Sequence, residues 1–261
     1  MEVAVFASGS SGNCLLISDH GTNILLDAGI SMRRTEEALS QVGCSLRDVD
    51  GVLITHEHSD HISGLKMLLK HYHLPVYAPR TVASRLWAML PESDGCLNIV
   101  GTGELFRVGS CKLSAFHTPH DSAESVGYRI EGSGVFALAT DMGHVTEEIR
   151  LGLLGADTVL IESNHDEEML RYGPYPPYLK KRILSDRGHL SNENCALLAR
   201  ELAENGTRAI ILGHLSRENN TPEKALSACR AALTGLKTEL YCAPVSGCLT
   251  VAVGRGAPCC L

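Results

Sequence analysis

Six consecutive positions, His56-Glu57-His58-Ser59-Asp60-His61, carry three imidazoles and an aspartate, and they directly follow the apolar run Gly51-Val52-Leu53-Ile54 and Thr55. Neutral imidazole nitrogen and carboxylate oxygen are the ligands that zinc, manganese and iron accept in hydrolytic sites. A strand that ends at Thr55 delivers these side chains to a loop at the edge of a sheet, where a rigid scaffold positions chemistry. A polar surface turn is the bland alternative. Four ligand-type residues at this spacing favour a metal site instead, as other His-rich signatures do.

The 261 residues suffice for one large α/β domain or two small ones, and 44% hydrophobic with 20% charged residues is the balance of a soluble globular protein. No apolar run approaches the roughly 18 residues that a membrane span needs. The start, Met1-Glu2-Val3-Ala4-Val5-Phe6, has no basic segment and reads as a first strand, so the expected compartment is the cytoplasm, with no membrane partner. The ten cysteines are scattered among Leu, Val, Ala and Gly and contain no CxxC pair, so they read as small buried hydrophobes; Cys259-Cys260 could bind metal or oxidise, and a ragged tail is the plainer reading. A net charge of −7 argues weakly against a nucleic-acid binder. Divalent cations in the site would offset it locally, and basic clusters occur at Arg33-Arg34, Lys180-Lys181-Arg182 and Arg187, though solvated helix faces explain them equally well.

Along the chain, Val3–Ala7, Cys14–Ser18 and Asn23–Asp27 read as antiparallel strands. The small-residue link Ala7–Asn13 reads either as a flexible turn or as a loop that approaches a ligand closely. A helix from Ser31 or Thr35 to Val42 precedes strand Gly51–Thr55; helix Gly64–Tyr72, strand Val76–Ala78 and helix Thr81–Leu90 follow. Strands Cys96–Val100, Glu104–Val108 and Cys111–His117 lead to a hairpin of Val126–Glu131 with Val135–Asp141. Helix Thr146–Leu154 and strand Thr158–Ser163 come next, then helical stretches Glu167–Tyr172 and Tyr178–Ser185 around a Pro-rich turn. Ser191 caps a helix to Asn205, Thr207–Gly213 is a strand, Thr221-Pro222 opens a helix to Leu233, and Glu239–Pro244 and Cys248–Val253 are strands. Strands first, then alternating helices and strands, then the same again: two related β/α halves packed sheet to sheet with helices outside, in one domain over residues 1–261.

His120, Asp141, Glu162 and His214 also end predicted strands, and with the opening run they supply enough nitrogen and oxygen ligands for two cations. Thr55–His61 resembles the HxHxDH signature of the metallo-β-lactamase superfamily; Thr118-Pro119-His120, Thr140-Asp141 and Leu212-Gly213-His214 resemble its further ligand motifs. The resemblance implies a four-layer αββα sandwich of two mixed sheets. It also implies a first metal held by His56, His58 and His120, and a second held by Asp60, His61 and His214, with Asp141 bridging. It favours His120 over the rival His117 and gives His144 no metal role.

Ser8–Asn13, His120-Asp121, Glu162–Asp166 and Gly188–Glu193 further resemble the YycJ/WalJ group, related to tRNase Z and RNase J. About seventy residues separate Asp141 from His214, which leaves no room for the large insertion of RNase J, and the long arm of tRNase Z has no counterpart. The resemblance thus implies a small metal-dependent phosphodiesterase, a DNA exonuclease acting from the 5′ end, with two divalent ions (Zn or Mn, with Fe possible) and a metal-bridging hydroxide as nucleophile. Asp60, Glu162 and His189 are the catalytic candidates: His189 protonates or stabilises the departing 3′-oxygen, and Glu162 fixes its tautomer. Ser10, Ser11, Asn13, His165 and Asp166 are candidate substrate contacts. Two other functions stay open: a glyoxalase-II-like or lactonase-like hydrolase of a small thioester or ester, and a non-catalytic metal-binding regulator. The sequence leaves the oligomeric state open.

Overall fold

The structure, a computed structural model, describes residues 1–254, so Cys259-Cys260 lie outside the described residues. The first sheet opens as a meander in which β1 (Glu2–Ala7), β2 (Cys14–Asp19) and β3 (Thr22–Leu26) pair antiparallel. To β3 are added, in parallel, β4 (Gly51–Leu53), β5 (Val76–Pro79) and β6 (Leu97–Val100). The parallel crossovers run through α1 (Met32–Gln41), through α2 (Ser59–Ile62) with α3 (Leu65–Tyr72), and through α4 (Arg80–Met89).

The second sheet repeats the plan. A meander of β7 (Leu105–Val108), β8 (Cys111–His117), β9 (Val126–Glu131) and β10 (Val135–Ala139) turns parallel with β11 (Thr158–Glu162), β12 (Ala209–Gly213) and β13 (Glu239–Cys242). Its connections carry α5 (Glu147–Leu153), α6 (Glu167–Tyr172), α7 (Pro177–Ile183), α8 (Asn192–Glu204) and α9 (Pro222–Ala232). The last described strand, β14 (Leu249–Ala252), crosses back and pairs antiparallel with β1, giving each sheet seven strands among the described residues.

Three apolar layers explain why the central strands read as nearly continuous hydrophobic runs. Val3, Val5, Leu15, Ile17, Ile24 and Leu26 face Leu113, Tyr128, Ile130, Phe136, Leu138 and Ile211 across the space between the sheets. Their alternate neighbours, such as Phe6, Leu16, Leu25 and Val52, pack outward against α1, α3 and α4. On the other side Ala137, Val159, Ile161, Ile210 and Leu212 pack against α5, α8 and α9. A strand buried on both faces has no polar face to show. The layers are helices, sheet, sheet, helices, with both sheets mixed, as the two-halves reading requires. Helix starts also follow the sequence: Ser31, Ser191 and Thr221 each accept a backbone N–H of the first turn.

Three expectations need correction. The ladder of β4 ends at Leu53, not at Thr55, because the chain turns toward the site there. The short helix α2 lies inside the histidine run; four residues are too few to show a helical period. Among the described cysteines, all free, Cys248 is exposed and Cys44 and Cys242 are half-buried, since they sit at chain turns and on the edge strand β13 rather than in the layers. No helix among the described residues is long and apolar enough to cross a membrane.

Tyr128, on β9, is fully buried, and its hydroxyl donates to the Ile54 carbonyl at 2.8 Å, just before the histidine run. This bond ties the second sheet to the segment of the first that carries the ligands. Tyr128→Phe is expected to lower unfolding stability by about 1–3 kcal/mol in urea denaturation, because it strands a buried carbonyl.

Candidate metal centre

Each ligand-type residue leaves the carboxyl end of a strand on the same side of the two sheets. His56, His58, Asp60 and His61 follow β4, His120 follows β8, Asp141 follows β10, Glu162 ends β11, and His214 follows β12. Asp27, Asp141 and His214 hold φ of 58°, 56° and 54°, a left-handed conformation that non-glycine residues seldom adopt without a compensating role. Two of them occupy equivalent places. Asp27-Ala28-Gly29 follows β3 and Asp141-Met142-Gly143 follows β10, the strand at which each sheet changes from antiparallel to parallel. Gly29 is required by packing, because a Cβ there would stand 1.7 Å from the Asp60 carbonyl oxygen.

Two groups of ligand atoms result, His56/His58/His120 and Asp60/His61/His214, each within 4.8 Å of one another. Asp141 stands between them: its Oδ2 is 3.3 Å from His61 Nε2, and its Oδ1 is 3.3 Å from His214 Nε2 and 3.8 Å from His120 Nε2. The outer nitrogens of these rings are already held. His61 Nδ1 meets Asp27 Oδ2 at 2.7 Å, His120 Nδ1 meets the Gly188 carbonyl at 3.3 Å, and His214 Nδ1 meets Asn13 Oδ1 at 3.3 Å. These partners, all acceptors, favour a proton on Nδ1 and turn Nε2 inward, which is the usual arrangement around a bound metal once the ring is neutral.

The chemistry of this donor set fits a cation. His56 Nε2 and Asp141 Oδ2 are buried and have no hydrogen-bond partner, a cost that ligation would remove. Burial, with the His61 charge nearby, holds the His56 pKa well below the ordinary value; burial also lowers that of His120, so both rings are neutral donors. Burial opposes charge on His61, yet Asp27 and Asp141 overcome it and raise its pKa well above the usual range. Burial likewise opposes charge on Asp141, but His214 and His61 hold it ionised, with a pKa well below the carboxylate norm. The carboxylates Asp27 and Asp141 thus favour positive charge on their side of the cluster, while burial and the neighbouring imidazoles oppose it at His56.

Glu162 and His189 form a separate device beside these ligands. His189 Nδ1 donates to Glu162 Oε1 at 2.6 Å, and Glu162 Oε2 accepts from Met142 N at 2.8 Å and Leu190 N at 3.3 Å. Glu162 is fully buried with both oxygens engaged, so it is not free to ligate although it lies within ligand distance of Asp141 and His214. The His189 ring stacks on His214 with centroids 5.4 Å apart, and its Nε2 makes no hydrogen bond among the described residues. Burial works against its cationic form, but the Glu162 charge and hydrogen bond, with Asp141, raise its pKa to about 9.

The remaining candidates divide. Asn13 enters the cluster: its Nδ2 is 3.0 Å from His61 Nε2, and the loop carrying it is ordered by Gly9 N donating to Asn13 Oδ1 at 2.9 Å. Ser10 and Ser11 are exposed, and Ser11 Oγ accepts from Arg217 at 2.8 Å. His165 is buried with neither ring nitrogen bonded. Asp166 is committed elsewhere, capping α6 through Met169 N at 2.8 Å and pairing with Lys224 at 2.9 Å. His117 is exposed and faces Thr102 at 3.1 Å, and His144 is exposed and meets the Asp186 carbonyl at 3.0 Å, so neither joins the cluster. Asp27 is the residue sequence reasoning missed. Its signal was present in the repeated Asp-x-Gly after corresponding strands.

Residues 22–215 match a beta-lactamase superfamily domain. The chain is 40% identical over 229 residues to "Exodeoxyribonuclease YycJ" of Bacillus anthracis, covering 86% of each. It is 38% identical over 233 residues to "Exodeoxyribonuclease WalJ" of Streptococcus pneumoniae serotype 2, covering 86% of this chain and 85% of that one. Among solved structures, Zn2+-bound PqqB from Methylobacterium extorquens superposes with a TM-score of 0.72 at 19% identity, over 97% of this chain and all (100%) of that one; this likeness concerns the fold alone.

The Asp27 carboxylate accepts from Thr55 N at 2.9 Å and from Thr55 Oγ1 at 3.0 Å as well as from His61. Asp27→Ala is expected to weaken divalent-metal affinity by about 10–100-fold. Calorimetric titration of the metal-stripped protein with zinc or manganese checks this, and the loss should be greater for the class of site that includes His61, which Asp27 touches directly, than for the His56/His58/His120 class.

Proposed function

In a chain that belongs to the metallo-β-lactamase superfamily and is a metal-dependent hydrolase, we propose that the Glu162–His189 pair directs hydrolysis to a phosphodiester and that the substrate is DNA, degraded from the 5′ end. The observation that carries this reading is the 2.6 Å contact that sets a buried carboxylate behind an imidazole at the rim of the ligand cluster. An alkoxide leaving group needs a proton donor, whereas a thiolate does not, so the pair counts against a thioester, and the exodeoxyribonuclease relatives favour a phosphodiester over a carboxylic ester. The exodeoxyribonuclease relatives support the choice of DNA, and a single domain in the cytoplasm suits that role.

His56, His58 and His120 would hold one divalent ion, Asp60, His61 and His214 a second, with Asp141 between them. The donors are all nitrogen and oxygen, so zinc and manganese both suit them and iron is compatible. Ions bound there would supply Lewis-acid polarisation of the phosphoryl oxygen and a lowered pKa for the attacking water. Asp60, partly exposed and 3.5 Å from His61 Nε2, would also be placed to orient the attacking water. Glu162 accepts the Nδ1 proton of His189 and so presents Nε2–H outward. That proton passes to the departing 3′-oxygen, and Glu162 stabilises the ring's charge until then. From the loop side Asn13 braces His214 through its Oδ1 and the Asp60 carbonyl through its Nδ2.

Two experiments check the assignment. His189→Ala is expected to lower kcat on DNA by about 10²–10⁴-fold with metal content retained, whereas His58→Ala loses metal and activity together. Metal analysis beside a gel assay separates the two, and full DNA hydrolysis by the His189 variant would contradict the role. With end-labelled DNA, a 5′ label should appear first in mononucleotide; a thioester offered under the same conditions should be left intact.

A further inference from the structure

Residues 171–187 lie between Glu162 and His189 and differ in charge from the rest of the chain. They contain Arg171, Lys180, Lys181, Arg182 and Arg187 against the single acid Asp186, in a protein of net charge −7. They also hold Tyr172, Tyr175 and Tyr178, three of its seven tyrosines. Tyr172 and Tyr178 are 80% and 76% exposed, the two most exposed large hydrophobic side chains among the described residues. An aromatic ring so exposed costs solvation and contributes nothing to the core.

The segment is tied to itself and anchored to the site. Lys180 Nζ donates to the carbonyls of Arg171 and Gly173, both at 2.8 Å, which ties α7 back onto the end of α6. Pro174, Pro176 and Pro177 restrict the turn between the two tyrosines. At its other end the segment grips the catalytic loops. Arg182 forms a two-pronged pair with Asp121, next to His120; Arg187 Nε donates to the His120 carbonyl at 2.8 Å; and the Ile183 carbonyl accepts from His189 N at 3.0 Å. Lys181 and Arg171 keep their side-chain charges without an ion-pair partner among the described residues.

We infer that the α6–α7 segment is a grip for an unpaired strand of nucleic acid, with Tyr172 and Tyr178 as stacking platforms for its bases and Lys181 and Arg171 facing its phosphates. This rests on the phosphodiesterase reading. Exposed aromatic faces interleaved with cations are what a single strand recognises, because every base offers a π-face and every linkage a negative charge. A paired duplex hides its base faces, which commits the grip to unpaired bases. The segment runs on into the His189 loop and grips the His120 loop through Arg182 and Arg187, which connects the grip to the site.

The test is fluorescence anisotropy of a labelled, phosphorothioate-linked oligothymidylate with the metal-loaded protein. Hydrolysis of bis(p-nitrophenyl) phosphate, too small to span the segment, is measured in parallel. Tyr172→Ala/Tyr178→Ala is expected to weaken strand affinity about tenfold or more and to leave the small diester's kcat/KM unchanged. Lys181→Ala should lower the slope of log affinity against log salt by about 0.7. Equal strand affinity in the double variant and wild type overturns the inference but leaves the proposed function intact, as does an equal loss for a blunt duplex. Loss of small-diester hydrolysis in the double variant also overturns it, since the tyrosines would then support the site itself. Wild-type protein that hydrolyses the small diester but neither binds nor degrades any polynucleotide overturns the function and the inference together.

Discussion

The Asp27 carboxylate is the contact on which the metal centre depends. It holds the backbone and hydroxyl of Thr55, where the histidine run leaves its strand, and the Nδ1 of His61, six residues later. One buried group thus fixes both ends of the loop that carries His56, His58 and Asp60. Its left-handed φ of 58° is the backbone cost of aiming the carboxylate there. Burial of Asp27 at 2% exposure makes each of those bonds stronger than it would be in water, and makes an unpartnered Asp27 expensive.

The duplicated architecture explains how one motif came to serve two ends. At the same turning point of each sheet the chain places Asp-x-Gly with the aspartate left-handed. In the first half Asp27 braces a ligand from behind; in the second, Asp141 faces the cluster itself. The second half also inserts α6 and α7 between β11 and α8, and this insertion brings His189 back to Glu162. Superfamily membership accounts for the ligand-type residues at the strand ends, and the insertion accounts for the contact between His189 and Glu162.

Much of this was legible in the sequence because the ligands end apolar runs. His56, His120, Asp141, Glu162 and His214 each follow a run with strand character, and the structure gathers them within a few ångströms. Side chains that act through others were harder to read. Asp27 looks like any turn aspartate until its partner 34 residues away is known. Asp166, a candidate substrate contact through the resemblance of its segment, caps α6 and pairs with Lys224, contacts that the resemblance does not record. Local neighbours in sequence predict caps and turns well. Contacts between the halves depend on how the sheets pack, and no periodicity records that.

In the proposed mechanism His189, held by Glu162, donates a proton to the leaving oxygen. Its most direct test is a series of aryl methyl phosphodiesters of graded leaving-group pKa, with kcat/KM measured for wild type, His189→Ala and Glu162→Gln. Proton donation predicts a shallow dependence in the wild type and a markedly steeper one in both variants, with the poorest leaving groups losing most. Parallel dependences in all three proteins would contradict the account.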